Sequence, residues 1–409
     1  MDKKLKRVIT LPLITFYGIG SILGAGIYVL ISKISGISGM HMPVSFIVAA
    51  IVASFSAFSY AEMSSRFPKS AGEAVYVNEA FSIKWISALV GWAIVAVGIV
   101  SVATLANGIV GYTQIFINLS DSTIKLLIVS ILFLISIWGV GESVIVASVI
   151  TVVELIGLFL IIFFGFDSLL TIPQRLPELI PPFSISSYTT IIFGAFLSFY
   201  AYIGFEDMVN MAEEIRNPER NLPISIILVL IITTILYVLV ALVAVLSLPL
   251  DQLSSSEAPF VDLIRHNSNF PVSLIGIISL VAVLNGMLIQ IIMASRILFG
   301  MSKNGMAPKI FSHIYTKTMI PLKSTFFVYI VIIVSALLLP LVSLAKLTST
   351  IILLVFASVN LSLFVVKKRD KNFPEATNNK QTRFPIIIPI IGFFLCLGFL
   401  FFQLISLTN

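Results

Sequence analysis

Charge is scarce in this sequence of 409 residues, and so are cysteine and histidine. Asp, Glu, Lys and Arg together make up 11% of the chain, against about 25% in ordinary soluble domains, while 58% is hydrophobic. A soluble fold with that balance could not cover its own core, so the chain reads as an all-α integral membrane protein. The one cysteine, Cys396, lies in an apolar run, which excludes a disulfide within the chain and leaves the redox compartment open. The three histidines, His41, His266 and His313, are far apart in loop-like segments, so no metal site is expected. No ATP-binding motif is present, which argues against direct ATP drive, and no cofactor is expected. The net charge of +6 does not imply a nucleic-acid partner, because basic residues in membrane proteins mainly set orientation.

What the chain does have is long apolar runs. A span needs roughly 20 mostly apolar residues. That criterion picks out eleven: 9–32, 42–65, 86–117, 124–140, 144–166, 188–212, 223–248, 272–301, 324–343, 346–366 and 384–407. The N-terminus, basic and then apolar, imitates a signal peptide. Its apolar stretch runs on to about Ile31 with no small-residue cleavage pattern, so it is expected to be retained as the first span. The linkers carry the punctuation, among them SRFPKSAGE, IPQRLPELIPP and DQLSSSEAP, and none is long enough for a separate domain. With the N-terminus inside and spans alternating, twenty of the 25 Lys and Arg residues fall on the inner side and five on the outer. That bias predicts a cytoplasmic N-terminus and, with an odd number of spans, an outer C-terminus, in a multi-pass protein of the cell membrane. Asn118-Leu-Ser is a glycosylation sequon on the outer face, read as chance.

Inside the first run lies GIGSILGAGIY, residues 18–28, with Gly18, Gly20, Gly24 and Gly26. Glycine weakens a helix by about 1 kcal/mol relative to alanine. A broken helix survives in lipid only where its freed backbone groups face protein or a wet cavity. The stretch therefore predicts a break over 18–26; close helix packing through Gly20 and Gly24 is the alternative. A dinucleotide fingerprint fails on context, since no soluble βαβ unit surrounds it. Segment six repeats the pattern: GAFLSFYAYIGFED, residues 194–207, sets Gly204 among aromatics, with Glu206 and Asp207 still inside the run. Breaks in spans one and six predict an inverted five-plus-five repeat with a site at the membrane midplane. The two repeats would be 9–166 and 188–366, with 384–407 an extra C-terminal helix. Half-helix N–H groups attract a carboxylate, and freed carbonyls accept from an ammonium, so the solute expected there is a zwitterion.

Four stretches carry a resemblance. GIGSILGAGIY, SYAEMSSRFPKSAGEAVYVNEAF (59–81), AYIGFEDMVNMAEEIRNPERNLP (201–223) and SRILFGMSKNGMAPK (295–309) occur in that order. Together they resemble the amino acid–polyamine–organocation superfamily of secondary transporters, closest to its cationic amino acid and glycoprotein-associated branches. The resemblance implies a leucine-transporter-like fold and amino acid transport by alternating access. It implies that the substrate carboxylate meets the N–H groups of Gly24, Ala25, Gly26 and Ile27. Carbonyls near Ser21 and Ile22, and near Phe199 and Tyr200, would take the amine, and Tyr202, Ile203 and Gly204 would line the side-chain pocket. Two features depart from the family: eleven spans in place of the usual twelve, and Glu154 where many of these permeases carry a mid-helix lysine.

Glu154 lies mid-span, where a charge costs about 3 kcal/mol or more, and is therefore a functional candidate. Either it takes up and releases a proton while bridging spans one and eight, or it stays protonated and only bonds a neighbouring helix. Glu206 and Asp207 either select a cationic side chain or form an inner gate, with Arg296 a candidate partner. Asn285 and Gln290 are the only amide side chains in the middle of span eight, too few hydroxyl ligands to expect sodium. Glu62, Glu213 and Glu214 read as structural carboxylates at inner helix ends, and Pro223 reads as a helix start. The expected function is a proton-linked amino acid symporter or exchanger. The alternatives are a non-transporting sensor on the same fold or a permease for polyamines or cationic amino acids. A membrane enzyme is disfavoured because no nucleophile and base are paired in any span.

Overall fold

A computed structural model describes residues 7–24, 26–69, 72–137, 144–315, 320–372 and 381–408. The described residues are mainly helical; apart from two isolated bridges, Ile9 with Ile215 and Tyr315 with Ile320, they hold no strand. Seventeen α-helices follow in order: α1 Leu11–Leu23, α2 Ile27–Ser38, α3 Met42–Arg66, α4 Gly72–Phe81, α5 Lys84–Gln114, α6 Asp121–Ile137, α7 Val144–Phe164, α8 Phe166–Leu170, α9 Ile172–Leu179, α10 Ile185–Phe199, α11 Pro218–Ser247, α12 Leu250–Ser255, α13 Pro259–Asn267, α14 Val272–Lys303, α15 Leu322–Leu338, α16 Leu341–Asn372 and α17 Ile387–Thr408. Each of the eleven apolar runs overlaps helix among the described residues. Among the described residues eight stretches are long and apolar enough to cross a membrane. The difference has three sources: α1 stops at a break, α6 and α15 are 17 residues each, and Ile27–Arg66 counts as one stretch. The protein is an all-α, polytopic membrane protein.

The linkers are less bare than their composition suggests. IPQRLPELIPP and DQLSSSEAP contribute α9 and α12, and α4 begins at Gly72, at the end of SRFPKSAGE. The start of α11 also differs from the expected one. It begins at Pro218, after a left-handed Asn217, and Pro223 sits inside the helix. A proline there has no N–H for the carbonyl four residues back. That carbonyl, on Glu219, instead accepts from Ser65 Oγ at 2.7 Å, so the irregularity becomes a tie between α11 and α3.

Helices five spans apart pack on one another: α3 on α11, α5 on α14, and α6 on α15. The broken first span lies against α7, α11 and α14. At its lower end, Ile9 N–H donates to Glu214 O at 3.0 Å and Arg216 N–H donates to Ile9 O at 2.8 Å. Spans one and six are thus pinned together by their main chains on the face that carries the N-terminus. There Glu62, fully buried, pairs with Arg66 and Lys367 at 2.6 Å each and accepts from Phe384 N–H at 2.8 Å. Arg66 also pairs with Asp370. This cluster fastens α3 to α16 and to the approach of α17, the structural role expected of Glu62.

Candidate functional site

The first break is narrower than the glycine pattern predicts. Thr10 and Pro12 start α1, and the helix runs unbroken through Gly18 and Gly20 to Leu23. Those two glycines serve packing: a side chain at Gly18 would meet Met208 and Val229, and one at Gly20 would meet Thr151 of α7. Gly24 and Gly26 form the turn itself, and α2 resumes at Ile27 with no side-chain cap. The first donors of a helix have no partner within it. At the start of α2 these are the N–H groups of Gly26, Ile27 and Tyr28, while Val29 N–H already reaches Gly26 O at 3.3 Å. Gly24 N–H is spent on Gly20 O at 3.1 Å, so in this conformation it is not available to a solute. Ala25 lies outside the described residues.

The second break follows α10. A 3-10 turn, Tyr200–Tyr202, leads to extended Ile203 and then to Gly204 at φ +134°, a conformation open in practice only to glycine. After it the chain continues as a ten-residue 3-10 run, Phe205–Glu214. Runs of that length are uncommon and often mark a hinge. The two breaks touch. A Cβ on Gly204 would lie 2.7 Å from the carbonyl carbon and oxygen of Ser21, and one on Gly26 would overlap Ala201. Gly24 rests on α14, where a Cβ would be 2.8 Å from Ala282 O and 3.2 Å from Gly286 Cα.

Three tyrosines complete the surroundings. Tyr237 of α11 donates to Ile22 O at 3.0 Å, Tyr202 donates to Phe46 O at 3.1 Å, and Tyr200 shares a 2.9 Å hydrogen bond with Ser101. Tyr200 O accepts from Ile203 N–H at 3.2 Å. Phe199 is buried against Phe356 and Phe399. Tyr237 carries no motif in the sequence; only the fold brings it to the break.

The carboxylates find amide and hydroxyl partners. Glu154, fully buried on α7, accepts from Asn285 Nδ2 at 2.9 Å, and its Oε2 has no partner among the described residues. Its main-chain carbonyl accepts from Tyr28 Oη at 2.8 Å, which links α7 to α2. Asp207 Oδ2 accepts from Ser21 Oγ and from Gln290 Nε2, both at 2.8 Å. Glu206 folds back to accept from Gly204 N–H at 2.8 Å, closing its own break. The expected pairing with Arg296 is not made: Arg296 is exposed on α14, and no ion pair joins it to Glu206 or Asp207. Asn285 and Gln290, discounted as sodium ligands, are instead the residues through which α14 holds both acids. A further carboxyl, Glu73 of α4, is buried beside Tyr60, whose hydroxyl donates to it at 3.3 Å. Burial, with the nearby Asp207 charge adding, pushes Glu73 up to about 8.

A discontinuous span one thus faces a discontinuous span six, with α14 and α7 hydrogen-bonded beside them. The profile of the amino acid permease family matches residues 9–408. The chain belongs to the amino acid permease family. It is similar to the cationic amino acid transporter 3, mitochondrial, of Arabidopsis thaliana, 28% identical over 387 residues, covering 89% of this chain and 63% of the relative. It is similar to the branched-chain amino acid permease BcaP of Bacillus subtilis, 28% identical over 402 residues, covering 92% and 84%. It is also similar to the methylthioribose transporter of Bacillus subtilis, 26% identical over 426 residues, covering 98% and 89%. The chain spans about three fifths of the length of the first two Arabidopsis permeases it matches.

Proposed function

We propose that this amino acid permease family member is a secondary active amino acid transporter that holds its solute between the breaks of spans one and six. The observation that carries the reading is the contact of the two breaks, Gly204 on Ser21 and Gly26 on Ala201. Unpaired N–H groups at the start of α2 suit a carboxylate, and the carbonyls at the end of α1 suit an ammonium. Gly26 and Ile27 are the donors this reading favours. The acceptors are Ser21 O and Ile22 O, with Tyr237 already on the latter.

Alternating access then has a physical basis. Helices α3, α10 and α11 pack together around the second break, α5, α14 and α15 pack together, and α16 packs on members of both sets. The packing of helices five spans apart supports the inverted repeat. Two amide-to-acid contacts hold α14 to its neighbours, Asn285 with Glu154 of α7 and Gln290 with Asp207 of the second break. The Ser21–Asp207–Gln290 contact acts as an inner gate, because it closes the first break against α14. Glu154 is the proton carrier: it is buried, and among the described residues it has no ion-pair partner and one of its oxygens has no hydrogen-bond partner. Coupling takes the form of proton-linked symport or exchange, in the cell membrane, with the N-terminus cytoplasmic and the C-terminus outside.

Neutral amino acids are the first substrate class. Cationic amino acids or polyamines are the second reading, favoured by three buried carboxyls near the second break, Glu73, Glu206 and Asp207, which have no ion-pair partner among the described residues. Thermal stabilisation of the purified protein, screened against the twenty amino acids and common polyamines, names the ligand. Radiolabelled uptake of that ligand into proteoliposomes then separates transport from sensing. Binding without uptake contradicts the transport reading.

A further inference from the structure

On the face that carries the N-terminus, a cavity of about 280 Å³ lies between α4, α5, the 3-10 run Phe205–Glu214 and the end of α14. Its size is near the lower end for small-molecule sites, roughly 300–1,000 Å³. Four methionines line it: Met211, Met293, Met301 and Met306. Two charges of opposite sign line it as well, Arg296 from α14 and Glu214 from the end of the 3-10 run. Neither makes an ion pair among the described residues. Six residues of α14, about 9 Å of helix rise, separate Arg296 from Gln290 and the gate.

This combination has a chemical complement. A guanidinium presents a fork of donors that matches a carboxylate. A glutamate across the cavity accepts from an ammonium. Methionine side chains are flexible and polarisable, and make a wall that adapts to apolar groups of varied shape. We propose that this cavity is a second, weaker site for a zwitterionic amino acid with an apolar side chain. The carboxylate rests on Arg296, the ammonium on Glu214, and the side chain on the methionines, on the far side of the Ser21–Asp207–Gln290 contact from the breaks. The proposal depends on the transport reading for its purpose, though not for its chemistry. It assigns Arg296 to solute capture at the inner mouth, where the sequence suggested an ion-paired gate.

Gly300 lines the same cavity, and a Cβ there meets nothing within 4 Å. Gly300→Cys therefore introduces a thiol with room for it, and the native Cys396 is buried. In the full-length purified protein, leucine is expected to slow maleimide alkylation of this thiol in a saturable way. Arg296→Gln in the same background should raise the half-protecting leucine concentration roughly tenfold, as expected for a lost charge-assisted contact. In proteoliposomes the half-saturation for leucine presented at the opposite face should move less than twofold. Met301→Trp, which fills the cavity and keeps both charges, should weaken protection in the same way and covers the case in which Arg296→Gln does not fold. Protection unaffected by either variant, or an equal shift at both faces, overturns the proposal. Protection without uptake leaves this site standing and removes the transport reading; uptake without protection does the reverse.

Discussion

Single residues at the breaks carry specific chemistry, and each can be tested alone. Gly204 holds a backbone angle that costs other residues of order 1–3 kcal/mol, and its Cα faces the Ser21 carbonyl. Gly204→Ala should lower the melting temperature and reduce uptake at least tenfold; an alanine variant with normal uptake would show that the two breaks need not touch. Glu154→Gln keeps the size and the hydrogen-bonding reach toward Asn285 but cannot carry a proton. It should abolish accumulation driven by a pH gradient while counterflow exchange persists, and unchanged concentrative uptake would remove the proton role. Glu73 gives a pH signature. Burial holds its folded-state pKa near 8, above its ordinary 4.5, so folding favours the neutral acid. Its stabilising contribution is complete below about pH 4.5 and is lost as pH rises toward 8. Melting temperature followed across that range should fall less steeply for Glu73→Gln than for the unaltered protein, and parallel curves would contradict the assignment.

At the scale of helices, what matters is which elements are tied and which are divided. The buried cluster of Glu62, Arg66 and Lys367 ties α3 to α16. Lys367→Met leaves Glu62 with Arg66 and Phe384 N–H, and should cost about 2 kcal/mol, less than the 3–5 kcal/mol of a wholly orphaned partner. Thermal unfolding in detergent reads that loss. Much of this scale was legible from sequence. The apolar runs mark where the helices lie, because lipid allows few other backbone solutions. Two breaks, in spans one and six, were legible from their glycines. The exact extent of the first was not, since glycine serves both close packing and chain reversal: Gly18 and Gly20 do the former, Gly24 and Gly26 the latter. Partners from distant helices were invisible for a different reason. Tyr237, Asn285 and Gln290 have no motif, and their roles come from long-range contacts set only when α11 and α14 pack. The start of α11 was misplaced because either proline suits a first turn, and the left-handed Asn217 before Pro218 decides between them.

For the molecule as a whole, a pair of interrupted spans meets α7 and α14 through two acid–amide contacts, and a methionine-lined cavity lies between α4, α5, the second break's 3-10 run and the end of α14. With the proposed orientation, N-terminus inside, that cavity faces the cytoplasm. The central claim is that the start of α2 and the end of α1 together recognise the charged ends of one amino acid. A structure of the protein with its amino acid bound tests this most directly. The account predicts the α-carboxylate about 3 Å from the N–H groups of Gly26 and Ile27, with the ammonium facing the Ser21 and Ile22 carbonyls. An amino acid bound elsewhere in the span region, or α1 and α2 joined as one continuous helix around it, would contradict it.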